Sequence, residues 1–208
     1  MMFLKNPDEI EKKSFEIIKS KIENVYSNEE LKIVLRVIHA TGDFEYEKLL
    51  RFKNNPVEVG LSALKKGCSI FTDTRMAYAG INKKILQELN CNINCFIDDE
   101  EIFDKAKREN ITRAMASVEM AVEKNIDIFV IGNAPTALFS LCQHIKEGKI
   151  VPSLVIGVPV GFVGACESKE LLRKLKVPSI STEGTKGGSN VAAAIFNALL
   201  YMAVGKWK

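Results

Sequence analysis

The stretch "VIGVPVGFVGACESKELL" (residues 155–172) is the part of the sequence that indicates the fold. It begins as a continuously apolar strand and passes through Gly157, Gly161 and Gly164 into a helical pattern. A buried strand followed by a helix is the repeating unit of parallel α/β sheets. The glycines are spaced four and three residues apart, which matches neither the Walker loop nor the dinucleotide fingerprint. The turn therefore predicts an α/β fold without either nucleotide motif.

Short apolar runs on both sides of this stretch extend the same pattern. They alternate with longer helical patterns, and strands that are apolar on both faces are typical of a parallel sheet covered by helices on both sides. We therefore predict a three-layer α/β/α fold with a mainly parallel central sheet of about five strands, in a single domain over residues 1–208. The predicted strands are 68–73, 93–97, 126–132, 153–160 and 178–180.

Capping residues and apolar periodicity predict the helices. Asn6 followed by Pro7 is typical of a helix start, and the apolar face that follows includes Phe15. A second helix is predicted from Asn28 to Gly42, where the glycine ends it. The remaining predicted helices cover 99–109, 112–124, 135–147, 165–175 and a last helix from Ser189 through 204.

Composition excludes several classes of protein. The chain has 208 residues, a net charge of only +3 and scattered basic residues, which argues against a nucleic-acid partner. No apolar run reaches the roughly 20 residues of a membrane span, and the N-terminus lacks a signal-peptide pattern, so we expect a cytoplasmic protein without a membrane partner. The five cysteines lack paired spacing and predict reduced thiols, with no protein-bound metal.

Four polar or glycine-rich turns follow the predicted strands, and parallel sheets bind ligands beyond the carboxyl ends of their strands. Backbone N–H groups and helix N-termini in such turns favour anions. Several of them along one edge predict a ligand with several carboxylates, although each glycine is equally explained as a helix cap or a packing spacer. The candidate binding residues in these turns are Asp73, Thr74, Arg75, Asn133, Gly161, Gly164, Lys186, Gly187 and Gly188.

His39 is the candidate acid or base, because it lies at the edge of the apolar face of the second helix and histidine commonly transfers protons near neutral pH. Asp43 would orient its imidazole if the helix continued through Gly42. Alternatively, His39 is a boundary residue and Asp43 caps a helix over "FEYEKLLRF" (44–52). His144 is interpreted as a surface residue, and nucleophile-elbow and zinc-protease motifs do not occur in the sequence.

Three motifs closely resemble the family of precorrin-8X methylmutase and cobalt-precorrin-8 methylmutase: "IGNAPTALF" (131–139), the stretch 155–172, and "TKGGSNVAAAIFNALL" (185–200). "RVIHATGDFEY" (36–46) and "KKSFEII" (12–18) resemble the same family in the expected order, so the resemblance covers nearly the whole chain. It implies an isomerase of cobalamin biosynthesis that moves a methyl group from ring carbon 11 to carbon 12. The implied product is cobyrinate from cobalt-precorrin-8, or hydrogenobyrinate from precorrin-8X.

The resemblance also implies roles for individual residues. It assigns proton donation to His39 and substrate contact to Ser14 and Arg113, without a cofactor, in a homodimer whose active site lies near the subunit interface. A corrinoid tetrapyrrole ringed by carboxylates would suit the anion-binding turns. Thr185 stands where many members of the family have arginine, so one carboxylate contact of the family is not expected here. The predicted role of Arg75 comes from its position in the turn and not from the resemblance.

Two other functions are compatible with parts of the sequence. A non-catalytic corrinoid carboxylate-binding protein of the same fold would share every motif with the methylmutase. It would differ from the enzyme in binding the ligand without turning it over. A nucleotide enzyme of the Rossmann type is disfavoured by the glycine spacing. Whether the substrate contains cobalt is open at this point, with the cobalt-containing substrate slightly favoured.

Overall fold

A computed structural model describes residues 5–207, so both ends of the predicted domain, residues 1–4 and 208, lie outside the described residues. The described chain forms a six-stranded sheet with helices on both faces, which confirms the predicted fold class. The strands are β1 (Leu50–Lys53), β2 (Ser69–Thr72), β3 (Asn92–Asn94), β4 (Ile128–Ile131), β5 (Leu154–Gly157) and β6 (Ser179–Thr182). The helices are α1 (Pro7–Lys19), α2 (Asn28–Thr41), α3 (Tyr46–Leu49), α4 (Pro56–Lys66), α5 (Arg75–Gly80), α6 (Lys83–Glu88), α7 (Glu100–Glu109), α8 (Arg113–Glu123), α9 (Pro135–Lys146), α10 (Ala165–Arg173) and α11 (Ser189–Ala203).

The order of strands in the sheet is β1-β6-β5-β4-β2-β3. The five strands β2 to β6 are parallel and correspond to the five predicted strands. Within the sheet, β3 lies on one side of β2 and β4 lies on its other side. This reversal places a crevice between the carboxyl ends of β2 and β4, where α/β sheets commonly bind ligands.

The sixth strand, β1, was not predicted. It pairs antiparallel with β6, and Leu50 lies opposite Thr182. The alternative helix over 44–52 forms only over Tyr46–Leu49, as α3, and its extension to residue 52 is wrong because the chain continues along the sheet edge as β1. An ion pair between Arg51 and Glu183 joins the two strands through two hydrogen bonds of 2.8 and 2.6 Å. Alternation in "LRFK" is too short to distinguish an edge strand from a helix turn.

Two hydrophobic clusters cover the two faces of the sheet, as the three-layer prediction requires. One contains Ile70, Ile128 and Ile156 and packs against α2 and α11. The other contains Phe71 and Phe129 and is covered by α7 to α10. Successive strand residues thus face opposite helical layers. No helix within residues 5–207 is long and apolar enough to cross a membrane.

Three helices were missed, and one was predicted too long. α4 follows Pro56 at its first position and ends before Gly67, so its signals were present in the sequence. α5 and α6 have six residues each, too few for a periodic pattern. α1 ends at Lys19, whereas the apolar pattern suggested a longer helix.

Candidate functional site

His39 lies in the last turn of α2, a helix that is fixed at both ends. Ser27 and Glu30 form a capping box at its start, and Gly42 ends it with a φ of 68°. His39 is exposed on the side of α2 that faces α1, and its ring lies 5.3 Å from the ring of Phe15. The helix therefore holds an exposed imidazole close to the segment of α1 that contains Ser14.

Ser14 itself is half-buried on α1. Its hydroxyl donates to the carbonyl of Ile10 at 2.8 Å, and Phe15, the next residue, packs against His39. A hydroxyl bonded to its own helix can still accept a hydrogen bond from a ligand. Ser14 looked like an ordinary helical serine in the sequence, and the structure places its neighbour against the candidate proton donor.

Asp43 does not continue the helix toward His39, so the predicted orientation of the imidazole by Asp43 is wrong. The left-handed Gly42 turns the chain, and the Asp43 carboxylate binds the Lys186 ammonium at 2.6 Å. Glu45 binds the same ammonium at 2.6 Å. The Lys186 hydrogen bond lowers the pKa of Asp43, and the two carboxylates raise the pKa of Lys186. Lys186 is thus a cation already neutralised by its own chain.

Residues 183–188, between β6 and α11, form a segment that we call the lysine turn. It packs against the turn after β5, where the Gly188 N–H donates to the Val158 carbonyl at 2.9 Å and the Gly161 N–H to the Thr185 carbonyl at 3.1 Å. A Cβ at Gly187 would lie 2.1 Å from the Val158 carbonyl oxygen, so only glycine fits there. This close approach of two loops explains Gly187 without any ligand.

Gly161, Gly164 and Gly188 have positive φ angles of 146°, 78° and 131°. L-residues rarely adopt such angles, so the backbone conformation alone favours glycine at these positions. Gly164 is the N-cap of α10. The alternative explanation of the glycines, as caps and packing spacers, therefore accounts for much of the motif at residues 155–172. The N–H groups of Gly161 and Gly188 are already hydrogen-bonded to carbonyls of the protein.

Asp73 fills the crevice between β2 and β4. Its side chain is buried, and its carboxylate accepts hydrogen bonds from the backbone N–H groups of Gly132 (3.0 Å), Asn133 (2.8 Å) and Ala134 (2.9 Å). Burial raises the pKa of the Asp73 carboxyl, and these donors oppose that effect. Asp73 thereby fixes the turn that exposes the Asn133 side chain. Its oxygens are used within the protein.

Thr74 has a similar internal role. Its hydroxyl accepts from the Ala77 N–H at 3.1 Å, which caps α5, and shares a hydrogen bond of 2.8 Å with the Ser189 hydroxyl. Ser189 is the first residue of α11, so Thr74 joins the turn after β2 to the helix that follows the lysine turn. The three turns after β2, β4 and β6 are therefore connected through side chains.

Arg75 and Arg113, which we call the arginine pair, converge on one carboxylate. The Arg75 Nε donates to Asp98 Oδ2 at 2.9 Å, and Arg113 Nη1 lies 4.0 Å from Asp98 Oδ1. Arg113 also lies over the Phe103 ring, 4.6 Å from its centroid. All three charged side chains are about half exposed. Both guanidinium groups are about half exposed, and a guanidinium is suited to bind a further carboxylate from a ligand.

Three residues near the site were not recognised as candidates in the sequence. Asp98 follows β3 at the same edge, but its charge alone gave no signal. Tyr46 donates from its hydroxyl to the Gly187 carbonyl at 3.3 Å, a contact 141 residues away in sequence. Lys169 is completely buried. The spacing of Ala165, Ser168, Lys169 and Leu172, one helical stripe, was the available signal for Lys169.

The cavity lined by Ser27, Asn55 and Leu61 lies near the start of α2, away from the carboxyl edge, and includes none of the predicted site residues. The fold and the charged edge together define an α/β protein that places a histidine and several cations where parallel sheets bind organic anions. The particular family follows from comparison with known proteins.

The chain belongs to the precorrin-8X methylmutase family, whose model matches residues 9–202. It is 47% identical over 202 residues to a cobalt-precorrin-8 methylmutase of Methanocaldococcus jannaschii, covering 93% of each chain. It is 39% identical over 171 residues to a precorrin-8X methylmutase of Pseudomonas aeruginosa, covering 81% of this chain and 82% of the relative. A crystal structure of precorrin-8X methylmutase from Thermus thermophilus superposes with a TM-score of 0.89 at 39% identity, covering 97% of this chain and 98% of that one. The resemblance found in the sequence is confirmed.

Proposed function

We propose that the chain catalyses the migration of a methyl group from carbon 11 to carbon 12 of a corrinoid ring, converting cobalt-precorrin-8 to cobyrinate or precorrin-8X to hydrogenobyrinate. The observation that carries this proposal is the placement of His39. It is exposed at the end of α2, four residues before Asp43, and Asp43 binds the lysine turn at the carboxyl edge of the sheet. Family membership supplies the class of reaction.

The proposed chemistry asks little of the protein beyond orientation and one proton donor. The bond from the methyl group to carbon 11 breaks and a bond to carbon 12 forms, so substrate and product are isomers. His39 donates a proton to the conjugated ring and takes one back after the methyl group has moved, so the ring gains no proton overall. The protein holds the ring in one geometry during the migration. We propose no cofactor, and any cobalt belongs to the substrate.

The rim carboxylates of the substrate are the proposed ligands of the remaining site residues. We assign these carboxylates to Arg75 and Arg113, which are about half exposed and share Asp98, because Asp43 and Glu45 neutralise Lys186. Ser14 and Asn133 offer polar side chains. Asp73 and Thr74 contribute through the turns they hold. The proposed contribution of Lys186, Gly161, Gly164, Gly187 and Gly188 is mainly the shape of their turns, because the N–H groups of Gly161 and Gly188 donate to protein carbonyls.

The proposal is tested by incubating the purified chain with cobalt-precorrin-8 and, separately, with metal-free precorrin-8X. Turnover changes the absorption spectrum of the ring, and the faster substrate identifies the natural one, which we expect to be the cobalt-containing one. If neither substrate reacts while the product still binds, the chain is a corrinoid-binding protein and the proposal is wrong.

His39→Ala separates chemistry from binding in the same assay. We expect kcat to fall by roughly 10²–10⁴-fold, the usual effect of removing a general acid, with product affinity nearly unchanged. His144→Gln is the matched control, because His144 lies in the last turn of α9, at the opposite end of that helix from the carboxyl edge. Full turnover by His39→Ala would contradict the assigned role.

The remaining parts of the proposal concern the state of the protein. We propose a cytoplasmic homodimer of single-domain chains, and the strands contributed from residue 50 through 182 to one sheet support the single domain. Phe162 and Val163, on the turn after β5, are 93% and 90% exposed, and such apolar side chains next to a site are typical of a contact surface. Light scattering on the eluting protein tests the dimer, and a monomer mass would contradict it.

A further inference from the structure

Lys169 on α10 is the most unusual charged group in the described chain, because its whole side chain is buried. A buried ammonium loses its hydration and needs hydrogen-bond partners in return. Lys169 Nζ donates to the Lys186 carbonyl at 2.9 Å and to the Thr182 hydroxyl at 3.2 Å. Neither partner is a carboxylate. Burial lowers the pKa of Lys169 to about 8.

Both partners of Lys169 belong to the chain just before and within the lysine turn. Thr182 is the last residue of β6, and its hydroxyl donates to the same Lys186 carbonyl at 2.7 Å. The Lys186 carbonyl therefore accepts from two side chains at once. The Thr182–Lys186 hydrogen bond closes residues 182–186 into a loop. Lys169 of α10 bonds to both ends of this loop.

The lysine turn is also held from the other directions. Tyr46 donates to the Gly187 carbonyl, and Gly188 donates to the turn after β5. Of these contacts, Lys169 alone supplies a completely buried charged donor, whereas Tyr46 is a neutral donor at the start of α3 and Gly188 is a backbone donor. Because buried hydrogen bonds to charged groups are stronger than exposed neutral ones, it is the contact best able to keep the turn ordered before a ligand arrives.

We propose that Lys169 is a positioning residue that holds the lysine turn in its binding geometry through the Lys186 carbonyl. The proposal deepens the proposed function, since it assumes that the lysine turn forms part of the substrate site. It assigns Lys169 no contact with substrate. Its effect is to keep the backbone of the lysine turn, and of the neighbouring turn after β5, in one ordered conformation.

Hydrogen exchange at two backbone amides tests the positioning role without any substrate. The Gly188 and Gly161 N–H groups report on the contact between the lysine turn and the turn after β5. In Lys169→Met, which keeps the length of the side chain and removes its donors, we expect both amides to exchange at least tenfold faster. Arg173→Met is the matched control, because Arg173 is on the same helix but donates to Ser181 and the Thr182 carbonyl of β6.

The outcomes separate positioning from general loosening. Faster exchange in Lys169→Met alone supports the proposal, while equal acceleration in both variants, or none in either, overturns it. If Lys169→Met does not fold, Lys169→Gln gives the same test, since it keeps a polar group at the buried position while its shorter side chain loses the contact with the Lys186 carbonyl. Unchanged exchange at both amides in Lys169→Gln would then overturn the proposal.

Steady-state kinetics gives the second readout. We expect Lys169→Met to raise KM about tenfold with kcat changed less than twofold, because order of the site is lost while His39 is untouched. An unchanged KM would overturn the positioning role. If the unmodified chain turned over neither substrate, the proposed function would fail, whereas the exchange experiment would still decide the inference about Lys169.

Discussion

The lysine turn and the arginine pair present cations at the same edge of the sheet, yet they are built in opposite ways. The lysine turn is held by a buried lysine, by Tyr46 and by the turn after β5, and Asp43 and Glu45 neutralise its own Lys186. The arginine pair lies half exposed around the shared carboxylate of Asp98.

This difference indicates that the lysine turn determines the shape of the site and the arginine pair its charge. A turn with internally satisfied groups cannot adjust much, so it defines the outline of the site. Exposed guanidinium groups with one shared carboxylate can reorient, so they supply attraction to the carboxylates of a ligand. Variants in the lysine turn should therefore affect folding and binding together, whereas variants in the arginine pair should affect binding alone.

The largest effect is expected from Gly187→Ala. Its Cβ would lie 2.1 Å from the Val158 carbonyl oxygen, a backbone atom that cannot move without separating the two turns. We expect a loss of about 3 kcal/mol or more in the free energy of unfolding, at the upper end of overpacking effects. Urea unfolding measures this, with Gly184→Ala of the same turn as control. Gly184 has open space and a φ of 65°, so its alanine should cost only about 1–2 kcal/mol.

Equal stability losses in the two glycine variants would contradict the tight contact between the turns. A Gly187→Ala protein as stable as the unmodified chain would remove the steric explanation of the glycine altogether.

The second effect concerns pH and Lys169. Its pKa is about 8 in the folded protein, below the roughly 10.4 of a free lysine, so between these values the unfolded chain binds more protons. The free energy of unfolding should therefore rise with pH from 8 to 10.5, relative to Lys169→Met, by up to about 3 kcal/mol. Parallel urea titrations at pH 7.5, 9 and 10.5 measure the difference. A difference that stays constant or falls across this range would contradict the burial of a lysine ammonium.

A smaller effect is expected from Arg113→Leu. The side chain is half exposed, so stability should change by less than about 1 kcal/mol, while KM should rise about tenfold because a charged contact to a carboxylate is lost. Arg108→Leu is the control, since Arg108 is an exposed arginine of α7 that pairs with Glu109. Equal changes of KM in both variants would show a general charge effect rather than a specific contact.

The smallest effect is expected from Asp98→Asn, which removes the carboxylate between the two arginines without changing the size of the side chain. Exposed ion pairs contribute about 0–1 kcal/mol, so the unfolding curve should hardly move. KM should change only a few-fold. A large loss of stability here would mean that the arginine pair is as rigidly built as the lysine turn, and the comparison above would fail.

Most of the parallel sheet was predictable because its strands are apolar on both faces. The runs at 126–132 and 153–160 contain β4 and β5, and their short length together with burial on both faces is typical of central parallel strands. β1 was not predictable in this way. It is an edge strand of four residues, and its partner β6 lies about 130 residues later in the chain.

The proximity of the candidate residues was more predictable than their individual contacts. The rule that ligands bind beyond the carboxyl ends of strands selected turns that meet at one edge of the sheet, and Arg75 and Arg113 do lie together. Asp43 was assigned to His39 although it binds Lys186, because a helix pattern does not show where a left-handed glycine redirects the chain. The burial of Lys169 depends on how α10 packs. The residue type alone predicts the opposite, because lysine side chains are rarely buried.

The central claim is that this chain moves a methyl group within a corrinoid ring. The most direct measurement is ¹³C NMR of substrate labelled in the methyl group on carbon 11, recorded before and after incubation with the purified chain. We expect the labelled signal to move to the shift of a methyl group on carbon 12, in the unmodified chain and not in His39→Ala. A bound ligand whose label stays on carbon 11 would contradict methyl migration by this chain.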